Sequence, residues 1–157
     1  MHLEYFQLID RIVSLDLGER TITVEAQVPQ QNTIFEGHFP GYPLMPGVLL
    51  IEAMAQTSGW LLTALLKFER MPFLASVKEA KMRDFVLPGD LLTVEAQIAH
   101  DGSGFAVTSA KISAGGKLKC NAMLTLRHTP FPNAELRGHM ESVAKRIGFP
   151  QQALAHD

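Results

Sequence analysis

Two ionisable side chains, His38 and Glu52, stand in a stretch where almost every other residue is apolar or a turn former. An imidazole exchanges its proton near neutral pH, so His38 can serve as a base. A carboxyl group withdrawn from water either finds a partner or keeps its proton, and Glu52, between Ile51 and Ala53, can therefore serve as an acid. Gln56 follows one helical turn later and points the same way. The resting proton distribution belongs to the acid and base as a pair, and the sequence leaves it open.

These residues need a loop and a helix to position them. Residues 35–47 alternate stiffening prolines (Pro40, Pro43, Pro46) with hinging glycines (Gly37, Gly41, Gly47). The spacing then predicts a helix to about Phe68, with Pro46 at its first position, where a missing amide hydrogen costs nothing. Val48, Leu50, Ile51, Met54, Trp60 and Leu61 make it apolar on nearly every side, the mark of a buried helix. Amides in its first turn lack intrahelical acceptors, and the helix dipole favours negative charge beside them.

Along the rest of the chain, residues 3–9 read as a short helix and Ile12–Val13 as the start of an extended stretch. Arg20–Val28 alternates as a half-wet strand, as do Leu92–Ile98. Thr33–Phe35 reads as brief extended chain, Phe73–Val86 as extended, and His100–Gly104 as a hairpin loop. Phe105–Ile112 and Lys117–Arg127 are two further strands, and Glu135–Ile147 has a helical apolar face. The pentapeptide Thr-Val-Glu-Ala-Gln occurs at 23–27 and again at 93–97, with unlike surroundings that argue against a duplicated unit. One long buried helix among antiparallel strands predicts an α+β layer with the sheet wrapped round the helix.

A chain of 157 residues with 46% hydrophobic content suits a single domain with its own core. A net charge of -2 gives no global attraction to nucleic acid. The single cysteine, Cys120, cannot form an intrachain disulfide and reads as a small buried hydrophobe, which fits a reducing cytoplasm. The first residues lack the basic start and apolar core of a signal peptide. Val48–Leu66 is apolar enough to suggest a membrane span, but Glu52, Gln56 and Ser58 interrupt it, and a soluble, cytoplasmic protein without membrane insertion is expected. His2, His38, His100, His128, His139 and His156 show no ligand spacing, so no metal is expected. Neither a phosphate loop nor a dinucleotide fingerprint is present, so no cofactor is expected.

The run His38-Phe39-Pro40-Gly41, then Pro43, Met45-Pro46-Gly47-Val48, Ile51-Glu52-Ala53 and Ala55-Gln56 resembles the signature of the FabZ-type (3R)-hydroxyacyl-acyl carrier protein dehydratases. A second block, Val77–Asp90, resembles that family's strand after the helix, and the likeness covers about residues 3–127. It implies a single hotdog domain over residues 1–157, an antiparallel sheet around a long central helix, with 128–157 as a C-terminal extension. It further implies homodimers, three of which often form a hexamer, with active sites shared across the dimer interface.

The implied reaction removes water from a (3R)-3-hydroxyacyl thioester of acyl carrier protein, giving the trans-2-enoyl thioester in fatty acid or lipid biosynthesis. His38 would take the proton from the second carbon, the Gly47 amide would hold the thioester oxygen, and Glu52, oriented by Gln56, would protonate the departing hydroxyl. The acyl chain would lie in an apolar tunnel beside the helix, for which Phe39, Leu50, Met54 and Phe85 are candidates. Lys78, Lys81 and Arg83 would dock the acidic carrier.

Glutamate at 52, where the FabA-type dehydratase-isomerases carry aspartate, and the Phe39-Pro40-Gly41 loop favour dehydration without isomerisation. The chain departs from the pattern in its short Glu4-Tyr5-Phe6-Gln7 opening, in Met82 and Phe85, and in the tail from His128, leaving chain length and carrier identity open. Two rivals share the fold: an acyl thioesterase, which would release free carrier thiol, and a non-catalytic acyl-carrier-binding subunit.

Overall fold

The computed structural model describes residues 1–153, so His156 and the end of the C-terminal extension lie outside the described residues. Six antiparallel strands form one sheet: β1 (Arg11–Asp16), β2 (Thr21–Gln27), β3 (Arg70–Met82), β4 (Leu91–Gly102), β5 (Phe105–Ala114) and β6 (Lys117–Pro130). Their order across the sheet is β1-β2-β4-β5-β6-β3. Three helices accompany them: α1 (Thr33–Gly37), α2 (Gly47–Leu65) and α3 (Ala134–Arg146). The sheet curls round α2, which touches every strand from β2 to β6. This is the α+β hotdog arrangement expected.

Small side chains let the helix sit close. Ala26, Ala96, Ala110 and Ala122 of the sheet are buried in the same core as Ala53 and Leu61 of α2. In the same interior Ser58 and Thr108 satisfy one another at 2.8 Å, which removes the cost of burying two hydroxyls. Helix α2 is long and apolar enough to cross a bilayer, yet 61% of its most apolar window is buried within the protein, as in a core helix.

The two Thr-Val-Glu-Ala-Gln copies lie side by side. Strands β2 and β4 pair with Val24 opposite Val94, Thr23 opposite Glu95 and Glu25 opposite Thr93. The peptide is complementary to its own antiparallel copy, matching valine to valine inside and threonine to glutamate outside.

Several boundaries differ from expectation. Thr33–Phe35 opens a helix, because the Asn32 side chain accepts from the Ile34 amide at 3.0 Å and caps a turn too short to show helical periodicity. The segment 3–9 is helical only over Leu3–Tyr5, as a 3-10 turn. Pro46 is the cap of α2, so Gly47 is its first residue, and the helix ends at Leu65 because Lys67 and Phe68 turn to positive φ. Strand β3 begins at Arg70 and stops at Met82. Strand β4 runs on through Gly102, so only Ser103 and Gly104 turn the hairpin. Residues 128–130 of the expected extension complete β6.

The largest difference concerns α2, which is not buried all round. Val48 is 72% exposed, and Ile51 and Glu52 are half-buried. One sheet covers one side of a helix, and the strand that would screen this stripe, β3, is itself a free edge. That edge exposes Phe73, Leu74, Val77 and Met82.

Candidate active site

His38 is held by a small hairpin. Its backbone amide closes α1 onto the Ile34 carbonyl at 2.9 Å, and its carbonyl accepts from the Leu44 amide at 2.8 Å. Between them, Phe39 and Tyr42 exchange both backbone hydrogen bonds around Pro40-Gly41, with Gly41 at φ 71° as this turn requires. The Met45 amide donates to the Val86 carbonyl at 2.8 Å, tying the hairpin to the segment after β3. The alternation of proline and glycine thus makes a rigid loop.

The imidazole Nδ1 lies 3.0 Å from the Leu44 carbonyl oxygen. A carbonyl only accepts, so Nδ1 carries the proton in the neutral ring and Nε2 keeps its lone pair. The ring stacks on Phe39 with centroids 4.1 Å apart, which fixes its plane. A half-buried imidazole with a defined tautomer and a free acceptor nitrogen is suited to remove a proton.

Glu52 projects from the open stripe of α2. Gln56 donates to its carboxylate from Nε2 at 3.2 Å. The amide cannot turn over, because Gln56 Oε1 accepts from the Leu8 amide at 3.1 Å and Nε2 also donates to the Phe6 carbonyl at 2.8 Å. The N-terminal segment therefore sets the direction in which Gln56 addresses Glu52. Gly47 starts α2, and its amide is one of the donors that helix geometry leaves without an intrahelical acceptor. A methyl group at 47 would rest 3.4 Å from the Met82 side chain, so the missing side chain leaves the helix tip open rather than averting a clash.

Glu52 and Gln56 stand in the lining of a cavity of about 420 Å³. Ala55 and Trp60 continue it along α2, and Met71, Phe73 and Leu74 at the start of β3 line it too. The N-terminal residues Tyr5 and Phe6 and the α3 residues Met140 and Val143 complete much of the remainder.

The structure brings Glu52 and Gln56 together and places His38 and Gly47 elsewhere, outside this cavity within one chain. The four expected acyl-chain contacts are also outside its lining. Leu50 and Met54, 3% and 0% exposed, are core residues facing the sheet. Truncating either would cost about 2 to 5 kcal/mol of stability, so binding effects there would be masked by unfolding. Phe39 and Phe85 are exposed beside the His38 hairpin, Phe85 edge-on to Tyr42. Lys78, Lys81 and Arg83 are exposed on and just after β3, where Arg83 donates to Asn121 at 2.6 Å. Trp60, Met71 and the α3 residues were not anticipated as site residues. The signal for Trp60 was its place on the helical stripe that runs on from Glu52 and Gln56.

The segment after β3 carries one strongly perturbed acid. Asp84 accepts from Lys119 at 2.9 Å and pairs with Lys117 at 3.0 Å, and the two ammonium groups hold its carboxyl well below the usual range. Lys119 also donates to the Phe85 carbonyl, so this cluster braces the segment that carries Val86.

A FabA-like domain family matches residues 1–123. The 3-hydroxyacyl-[acyl-carrier-protein] dehydratase FabZ of Syntrophotalea carbinolica is 37% identical over 131 residues, 82% of this chain and 88% of that protein. The protein of the same name from Chlamydia trachomatis is 40% identical over 126 residues, 78% of this chain and 76% of that one. Among solved structures, a hypothetical thioesterase from Streptococcus pneumoniae with coenzyme A superposes with a TM-score of 0.62 at 19% identity, covering 76% of this chain and 85% of that one. The PaaI protein of E. coli gives 0.60 at 18% identity, over 75% and 78%. These two likenesses establish the shared fold, while the sequence matches carry the kinship: the chain belongs to the FabA-like family, among the FabZ-type hotdog dehydratases.

Proposed function

We infer that the protein dehydrates (3R)-3-hydroxyacyl-[acyl-carrier protein] to trans-2-enoyl-[acyl-carrier protein] in fatty acid or lipid biosynthesis. The observation that carries this reading is the Glu52 carboxyl, aimed by Gln56 and lining a largely apolar cavity, in a chain whose relatives are dehydratases.

His38 Nε2 takes the proton from the second carbon, and the electrons of that C–H bond form the new double bond. Negative charge that develops on the thioester oxygen is met by the Gly47 amide at the tip of α2, a donor of a kind that typically lowers a barrier by about 2.7 to 4 kcal/mol. The bond from the third carbon to oxygen breaks, Glu52 gives its proton to the departing hydroxyl, and water leaves. The proton on His38 then returns to Glu52, which restores the resting enzyme.

Two chains are required. The open stripe of Val48, Ile51 and Glu52 and the exposed apolar edge of β3 support a homodimer in which β3 strands pair edge to edge. The His38 hairpin of one protomer then meets Glu52 of the other. Phe39 and Phe85, exposed in one chain, lie beside the same hairpin and would face the substrate there. The acidic carrier docks on Lys78, Lys81 and Arg83, and the reaction takes place in the cytoplasm.

The test is incubation of the purified protein with 3-hydroxyacyl carrier proteins of several chain lengths, read by mass. Loss of one water is expected, and release of free carrier thiol without it would overturn the reading in favour of thioester hydrolysis.

A further inference from the structure

We propose that helix α3, which lies beyond the residues shared with the FabA-like family, is the wall that selects the acyl chain by its length. The inference rests on the dehydratase reading for its occupant, an unbranched aliphatic chain whose reacting end lies at Glu52.

The cavity follows one stripe of α2. Glu52, Ala55, Gln56, Gly59, Trp60 and Thr63 recur at helical spacing along its lining. From Glu52 to Thr63 this stripe extends about 16 Å at 1.5 Å per residue. The acid thus stands at one end of an elongated groove. A substrate whose hydroxyl is at Glu52 has the length of that groove ahead of its acyl tail.

Helix α3 supplies the facing side. Met140 and Val143 of the helix and Ile147 at its C-cap, on one face at i, i+3 and i+7, enter the lining, with His139 and Arg146 beside them. The helix is firmly seated. Asn133 caps it by accepting from the Leu136 amide at 2.8 Å, and the Ile12 amide donates to the Ile147 carbonyl at 2.7 Å. Phe149 just beyond packs on Trp60 and Phe68, with centroids 5.8 and 5.7 Å away. Met140 and Val143 remain half-buried, with part of their surface left towards the groove. The family match ends at residue 123, before α3 begins, so the wall lies outside the matched residues.

A wall built from side chains that a substitution can enlarge or shorten gives two opposite tests. Val143→Phe fills the groove and should lower the ratio of kcat/KM for long over short acyl-carrier substrates by about tenfold or more, the scale of one or two methylenes in an apolar pocket. Met140→Ala with Val143→Ala enlarges it and should raise the ratio. The opposite signs guard against a variant that merely folds poorly.

A binding measurement separates this inference from the activity. Trp60 is the only tryptophan and lines the groove, so an acyl pantetheine brominated near the end of its chain should quench its fluorescence. Val143→Phe should weaken that quenching at least about tenfold. Quenching that depends on residue 143 in a protein without dehydratase activity would uphold the groove and defeat the reaction. An unchanged length ratio in an active enzyme, or quenching indifferent to both variants, would overturn the role of α3.

Discussion

The Nδ1 proton of His38 is committed to the carbonyl of Leu44, 3.0 Å away, and this one contact decides which ring nitrogen can act as a base. The two residues are also joined through the backbone, so the ring and the hairpin form one unit. His38→Ala should lower turnover by about a hundredfold or more while leaving the fold intact. A rate assay by mass, with circular dichroism as the fold control, checks this, and near-normal turnover would remove His38 from the mechanism.

Glu52 and Gln56 should separate in magnitude. Glu52→Gln removes the proposed proton donor and should cost about a hundredfold or more in kcat. Gln56→Ala removes one hydrogen bond to the acid and should cost about tenfold, mainly in kcat with KM little changed. An equal loss for the two variants would show that Gln56 does more than aim Glu52.

Mixing the two catalytic variants tests whether the site is shared. If His38 and Glu52 come from different protomers, each mixed dimer of His38→Ala with Glu52→Gln holds one intact site. An equimolar mixture, refolded or exchanged, should then recover about a quarter of normal activity. No recovery despite proven exchange would place both groups within one chain. Val77→Lys, which puts charge on the β3 edge, should weaken dimerisation and activity together in sedimentation and rate measurements.

Cys120 reports on the fold. It is fully buried, and that burial pushes its thiol from 9.0 up to about 11. Because the folded state holds the proton more tightly than the unfolded one, this group's contribution to stability is complete below about pH 9 and is lost as the pH rises towards 11. Alkylation at neutral pH should be slow in the native protein and should accelerate with denaturant in step with unfolding. Fast labelling of native protein would contradict the burial.

His128 should give a smaller effect at the acid side. Burial and the neighbouring Arg70, whose Nε donates to His128 Nδ1 at 2.7 Å, lower its pKa below the ordinary 6.5. The folded state resists protonation, so this stability is present above 6.5 and declines as the pH falls through the lowered value. His128→Gln, which keeps an acceptor for Arg70, should flatten the fall in melting temperature on the acid side.

The candidate acid and base, their order along the chain and the strands were legible in the sequence because they rest on local patterns. Alternation names a half-buried strand, a proline-glycine run names a stiff loop, and a carboxyl in an apolar helix stands out from its neighbours. Even the repeated pentapeptide was visible, though only the pairing of β2 with β4 gives it a meaning. The groove was not legible. Leu50 and Met54 are as apolar as Trp60 and Val143, and whether such residues face the sheet or the cavity depends on the rotation of α2 against the sheet and on where α3 returns. Likewise the open stripe at Val48 exists because β3 is the last strand of its sheet, a fact of strand order that no local window contains. Local chemistry thus singled out His38 and Glu52 as candidates, while long-range packing decided what space Glu52 faces and which sheet edge is left uncovered.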